Sequence, residues 1–272
     1  MEKEGSQMKG REFKSIVVTV DGPVATIELN DPEHLNPLDP KTVEAETSRA
    51  LWSIQADLGI RAVVLTGRGS SFCSGAYIGP PREPSDERDR DRTYPQRLAW
   101  GYSFGDFWKT IATFKKPIIA AVNGYALGGG WKLAFVCDMI VAGESAVFGS
   151  AEMTVGLTPS PLTAQYLPKM LGKHRAFETF VYSKRFTADE AFALGLVNRV
   201  VRDDDCLKVA RQLASEIAEL PEVAVAFTKQ VMNRAFGLDS DYDYERIMAA
   251  YLQMVPETQQ EREKVKARLR DS

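Results

Sequence analysis

Three consecutive glycines, Gly128-Gly129-Gly130, separate a strand-like apolar run, Pro117 to Val122, from an apolar helical stretch that opens at Trp131. Asn123-Gly124 closes the run. Glycine lets backbone approach a ligand closely. Free N–H groups at a helix start, together with the helix dipole, stabilise negative charge. A second segment matches this one. Arg61 to Gly67 reads as a buried strand, followed by a loop and then Ser71-Phe72-Cys73-Ser74-Gly75-Ala76. Two strand ends, each followed by small residues, suit two N–H donors that converge on one oxygen. That device is an oxyanion hole, which stabilises an enolate or a tetrahedral oxyanion. The chain contains neither GxxxxGK followed by Ser or Thr nor GxGxxG, so the glycines do not form a nucleotide phosphate loop.

The two segments resemble the crotonase family, also called the enoyl-CoA hydratase/isomerase superfamily. The matching residues are Ser74-Gly75-Ala76, Ala121-Val122-Asn123-Gly124 with the three glycines, Cys137-Asp138, Phe148-Gly149, and Glu152 with Gly156. Ala191 and Gly195-Leu196-Val197-Asn198 continue the match, which runs from about Lys14 to the C-terminal helices. The resemblance implies an α/β fold: a spiral of ββα units over residues 1–200 carrying a CoA thioester site, then a helical trimerisation region over 201–272. It also implies an acyl-CoA thioester substrate and a homotrimer or a dimer of trimers. Coenzyme A is then part of the substrate, and no separate cofactor is expected. The thioester oxygen would be held by the N–H groups of Ala76 and Gly129. The family places its two acid/base glutamates in GGGxE and FGxxE. The second maps onto Glu152. The first maps onto Lys132, the departure that matters most.

Glu152 is the candidate for proton transfer. A carboxyl in a largely apolar site has its pKa raised toward neutrality, which suits an acid/base; outside the matched frame it would read as a solvated loop glutamate. Lys132 falls in the first helical turn after the glycines. A cation there favours an ionised Glu152 and can stabilise charge developing on a substrate. Its plainer reading is an ion pair with some acid, or a side chain pointing to solvent. Tyr77 stands where many members carry Asp, and with Gly75 and Ile78 it is expected to line the acyl pocket. Trp131 is expected as a pocket wall or as core. Leu35, beside His34 and Asn36-Pro37-Leu38, lies near the segment that contacts CoA in relatives. Lys229 is a candidate for the CoA phosphates; its plainer reading is a solvated lysine. Ser160 stands where certain dienoyl-CoA isomerases carry an acid, and Thr158-Pro159-Ser160-Pro161 replaces a glycine-rich turn, so a reshaped acyl pocket is expected.

One surviving glutamate fits double-bond isomerisation. Hydration requires Lys132, Tyr77 or a bound water to replace the missing acid. Thioester hydrolysis, C–C cleavage and a catalytically weak acyl-CoA-binding protein stay open, because one fold hosts many chemistries.

The elements that must position these groups follow from periodicity and turn signals. Strands are expected at Phe13–Val20, Val24–Leu29, Arg61–Thr66, Ile118–Val122, Met139–Ala142, Ala146–Gly149 and Asn198–Val201, with a hairpin turn at Asp21-Gly22. Helices are expected from Asp39-Pro40 to about Asp57, and at Trp131–Cys137, Pro161–Leu171, His174–Tyr182, Asp203–Leu220, Val223–Ala235 and Tyr242–Met254. Thr187 with Glu190 reads as a capping box. Arg82 to Arg92 reads as a charged surface loop, and Glu257 to Arg270 as a charged helical tail.

Composition narrows the classes. Thirty-four basic against 37 acidic residues leave a net charge of −3, which gives no electrostatic footprint for nucleic acid. Three widely spaced cysteines and two histidines form no metal-binding pattern and no disulfide framework, so no metal and a reducing, cytoplasmic location are expected. No apolar run is long enough to span a membrane, and no signal peptide is evident.

Overall fold

Strands of Val, Ile and Ala that are apolar at every position must be covered on both faces, and two layers of structure cover them here. The computed structural model describes residues 6–7, 13–77, 107–108, 110–111, 113–155, 159 and 163–236. It opens with β1 (Ser6–Gln7) and an antiparallel hairpin of β2 (Ile16–Asp21) and β3 (Val24–Leu29). Gly22, at φ 54°, makes the hairpin turn. A π-helical turn, Pro40–Glu44, starts where the Asp39 side chain accepts the Lys41 N–H, and it runs directly into α1 (Ala45–Ala56).

From there the chain alternates between two sheets. β4 (Ala62–Gly67) joins the large sheet and β5 (Ser71–Cys73) the small one. β6 (Ile118–Val122) returns to the large sheet and β7 (Tyr125–Leu127) to the small. After α2 (Gly129–Phe135), β8 (Met139–Gly143) and β9 (Val147–Gly149) repeat the step. This is the ββα spiral. A 3-10 helix (Glu152–Val155), α3 (Thr163–Leu171) and α4 (Lys173–Val181) follow. β10 (Arg185–Thr187), α5 (Ala188–Ala193) and β11 (Arg199–Val201) bring the chain back to both sheets. α6 (Cys206–Ala218) and α7 (Glu222–Ala235) end the described chain. The large sheet has the order β1-β2-β3-β4-β6-β8-β11, and the small one β10-β9-β7-β5.

The two-residue side-chain period of a strand divides the core. Val63, Leu65, Ile118, Ala120 and Val122 face Leu51 and Ile54 of α1 and the buried Trp131. Val64, Ile119, Ala121 and Val141 face Cys206, Ala210, Leu213 and Ala214 of α6. Helix α6 thus belongs to the core, covering a sheet face that would otherwise be wet.

Two polar residues of the matched motifs tie strands together. Asp138 Oδ2 accepts the Ile118 N–H at 2.7 Å. Asn198 Oδ1 accepts the Ile140 N–H at 2.7 Å, and the Asn198 N–H donates to the Ile140 carbonyl at 3.0 Å. Most expected elements are present to within a few residues, and Thr187 and Glu190 form the expected capping box. The short strands β5, β7 and β10 were not expected. The Arg82–Arg92 loop and the elements after Phe236 lie outside the described residues.

Candidate active site

The glycine turn after β7 is shaped by close approach. A Cβ on Gly130 would stand 2.0 Å from the Cys73 carbonyl oxygen, so α2 packs against β5 only with glycine there. Gly128 has φ 51° and ψ −116°, a turn that L side chains rarely adopt. These constraints bring the two expected backbone donors together. A Cβ on Gly129 would lie 3.5 Å from Ala76 N, and one on Gly75 would lie 3.3 Å from Gly129 N.

Both N–H groups are left over by the secondary structure. Leu38 and Ala76 form a parallel bridge in which Leu38 N donates to Gly75 O at 2.7 Å and Tyr77 N to Leu38 O at 2.9 Å. The Ala76 N–H takes no part in that bridge. Gly129 is the first residue of α2, whose first internal donor is Lys132 N to Gly128 O at 3.0 Å. The Gly129 N–H is therefore one of the orphan donors of a helix start.

Glu152 opens the 3-10 helix after β9. Its Oε2 accepts the Ser150 hydroxyl at 2.7 Å and the Ala151 N–H at 2.9 Å. The amide can only donate, so this oxygen is held as an acceptor. The Glu152 Cδ would be 4.0 Å from a Cβ on Gly128. The carboxylate thus flanks the turn that carries Gly129.

Lys132 is interior. It is 4% exposed, and its Nζ lies 3.9 Å from the centre of the Trp108 ring. It forms no ion pair with a described residue, and its burial contradicts the solvated reading. Burial lowers its pKa to about 8, against the opposing pull of Glu44 and Glu152. Glu44, at the end of the π-helical turn, is 3% exposed. Burial pushes its pKa up to about 8, with Lys132 opposing and Asp39 adding to the rise. Glu44 was absent from the sequence candidates. The available signal was its place on the apolar stripe of α1, in line with Thr47, Leu51 and Ile54.

This geometry is that of a known group. The Enoyl-CoA hydratase/isomerase family model matches residues 19–269. The chain belongs to this family. A short-chain-enoyl-CoA hydratase of Clostridium acetobutylicum is 33% identical over 231 residues, spanning 85% of either chain. A probable enoyl-CoA hydratase of Mycobacterium tuberculosis is 36% identical over 236 residues, spanning 86% of this chain and 88% of its own. Among solved structures, enoyl-CoA hydratase subunit I of Geobacillus kaustophilus superposes with a TM-score of 0.83 at 35% identity, covering 96% of this chain and 97% of its own. DspI of Pseudomonas aeruginosa superposes with a TM-score of 0.82 at 27% identity, covering 97% of each chain.

Within the enoyl-CoA hydratase/isomerase frame, the other candidates divide. Leu35 sits in left-handed backbone at φ 62°, is 37% exposed, and accepts the Ser74 N–H through its carbonyl at 3.0 Å. Tyr77 is half-buried beside Leu38. Both therefore border the Gly75-Ala76 strand end. Of the two readings expected for Trp131, the structure gives the core: it is 1% exposed and packs on Phe135 and Phe186 at ring separations of 5.0 and 6.0 Å. Lys229 has to be corrected. Its Nζ donates to Asp138 Oδ2 at 2.7 Å and to the Lys116 carbonyl at 3.1 Å, with the side chain buried. It locks α7 to the large sheet, and it is neither solvated nor directed at a phosphate. Ile78, Gly156, Thr158, Ser160 and Pro161 lie outside the described residues. Among the described residues no group of three or more His, Cys, Asp or Glu is placed to hold a metal, and no helix is long and apolar enough to cross a membrane.

Proposed function

We propose that this enoyl-CoA hydratase/isomerase-family enzyme binds an acyl-CoA thioester with its carbonyl oxygen on the N–H groups of Ala76 and Gly129. Those two donors stabilise the enolate that forms when a proton leaves or joins the carbon next to the carbonyl. Glu152 moves that proton. The observation that carries the reading is the meeting of two backbone donors, unpaired among the described residues, with one anchored carboxylate around the Gly128 turn.

A single carboxylate suffices for double-bond isomerisation, since one base removes a proton at one carbon and returns it at another. A specific observation favours hydration as a second reading. Lys132 is buried, and burial lowers its pKa to about 8 against the pull of Glu44 and Glu152, a proton affinity that suits an acid. On this reading Glu152 and Lys132 divide the work that two glutamates do elsewhere.

The test is turnover of a 2-enoyl-CoA and a 3-enoyl-CoA with product masses read directly. Hydration adds one water to an acyl chain still joined to CoA. Isomerisation leaves the mass unchanged and moves the double bond. Release of free CoA thiol without either product would replace this reading with thioester hydrolysis.

A further inference from the structure

Two asparagine side chains clamp the turn that leads to Ala76. Between β4 and β5 this turn presents the carbonyls of Gly67, Arg68, Gly69 and Ser71. Asn123 Nδ2 donates to the Gly67 carbonyl at 2.8 Å and to the Gly69 carbonyl at 2.9 Å. Asn36 Nδ2 donates to the Arg68 carbonyl at 2.8 Å and to the Ser71 carbonyl at 2.7 Å. A carboxamide has two N–H bonds, so both asparagines spend all of theirs on this one turn. Asn36 Oδ1 in turn accepts the Asp31 N–H at 2.9 Å. Asn36 is 1% exposed and lies in left-handed backbone at φ 53°, which asparagine tolerates better than most residues.

Sheet pairing alone leaves this stretch weakly fixed. β5 is a three-residue edge strand, and its pairing with β7 shifts register between Ser71 and Cys73. Beyond it, Ser74 to Tyr77 are held by the loop that carries Asn36. Ser74 N donates to the Leu35 carbonyl at 3.0 Å, Leu38 N to the Gly75 carbonyl at 2.7 Å, and Tyr77 N to the Leu38 carbonyl at 2.9 Å. Asn123 stands on the other arm, between β6 and β7, and β7 leads into the Gly128 turn. Next to it, a Cβ on Gly124 would stand 2.1 Å from the Ser70 carbonyl oxygen, so the two arms are in backbone contact there. One carboxamide thus joins the arm bearing Ala76 to the arm bearing Gly129. The other joins the Ala76 arm to the loop at Leu35 to Leu38.

We infer that Asn36 and Asn123 are positioning residues of the oxyanion site, and that together they set the spacing of the Ala76 and Gly129 N–H groups. The inference rests on the acyl-CoA reading above. Neither asparagine has an N–H left for substrate, so both act only through the turn. Loss of either clamp frees two carbonyls, lets the turn relax, and moves Ala76 N relative to Gly129 N. A misplacement of about 1 Å in such a site costs about a hundredfold in rate.

The test is the stretching frequency of the thioester carbonyl of a saturated acyl-CoA, carbon-13 labelled at that carbon and bound to the full-length protein. Hydrogen bonds draw electrons from the C=O bond and lower this frequency, whereas a destabilised fold that keeps its donors in place does not change it. The variants are Asn36→Gly, which accepts the left-handed backbone, and Asn123→Ala. Lys229→Met serves as a variant destabilised away from the donors. The bound carbonyl should shift below the free ligand in the wild type and equally in Lys229→Met. The shift should shrink in both asparagine variants. Their kcat should fall about ten- to a hundredfold with KM changed by less than about threefold. A full wild-type shift in either asparagine variant would overturn the inference and leave the oxyanion reading standing. No shift in the wild type with acyl-CoA bound would overturn that reading, and the inference with it. Asn123 is only half-buried, so if Asn36→Gly does not fold, Asn123→Ala decides alone.

Discussion

Lys132 Nζ stands 3.9 Å from the centre of the Trp108 ring, at the position where the family frame leads one to look for a glutamate. An aromatic face stabilises a desolvated ammonium by about 2 kcal/mol. The ring therefore helps bury a lysine next to the glycine turn, where no carboxylate of a described residue pairs with it. The local charge is reversed relative to a two-glutamate site, and the chemistry must be read from that reversal.

The reversal has a signature in stability against pH. The pKa of Glu44 is raised from 4.5 to about 8, so between those values the folded state binds more protons than the unfolded one. Its contribution is complete below 4.5 and fades as pH rises toward 8. The pKa of Lys132 is lowered from 10.5 to about 8, so between those values the unfolded state binds more protons. Its contribution is lost as pH falls from 10.5 toward 8. Urea unfolding across this range should show a trough near pH 8 that Glu44→Gln/Lys132→Met removes. A wild-type curve parallel to that of the double variant would contradict both shifts.

Adjacent glycines should separate folding from function. Gly130→Ala pushes a Cβ to within 2.0 Å of the Cys73 carbonyl and should destabilise by about 3 kcal/mol or more. Gly129→Ala meets only the flexible end of Leu38 at 3.1 Å, but it also places a methyl 3.5 Å from Ala76 N, where the substrate oxygen is to bind. It should keep a near-native melting temperature and lose about a hundredfold or more in kcat. Melting curves and turnover for the two variants, measured side by side, would show a reversed order if the donors lay elsewhere.

Lys229 offers a contrast between structure and binding. Lys229→Met leaves the partly exposed Asp138 with one fewer donor and loosens α7, for a loss of about 2–3 kcal/mol. The KM for acyl-CoA, corrected for the folded fraction, should not change. A rise in KM with unchanged stability would return Lys229 to the CoA site.

The residues that were legible in the sequence were those whose job is backbone geometry. Gly75, Gly124 and Gly130 marked both halves of the proposed oxyanion site, because a Cβ at each would meet backbone. Long buried strands such as Ile118–Val122 were equally plain. The small sheet was not, because Ser71–Cys73, Tyr125–Leu127 and Arg185–Thr187 are too short to show a period and are held by pairing across the fold. Lys229 was misread, and Trp131 left between two readings, for a related reason. On α2 and α7 a ligand-facing and a core-facing side chain look alike until the packing is known. Glu44 escaped notice because a glutamate at a helix start usually faces water, and its burial comes from tertiary packing.

Glu152 is proposed to move a proton on a thioester held by Ala76 and Gly129. The most direct measurement is kcat for Glu152→Gln on an enoyl-CoA, with equilibrium binding of a saturated acyl-CoA measured on the same preparation. Removing the carboxylate should cost about 10² to 10⁴ in kcat, with binding and melting temperature close to wild type. Wild-type turnover in Glu152→Gln would contradict it.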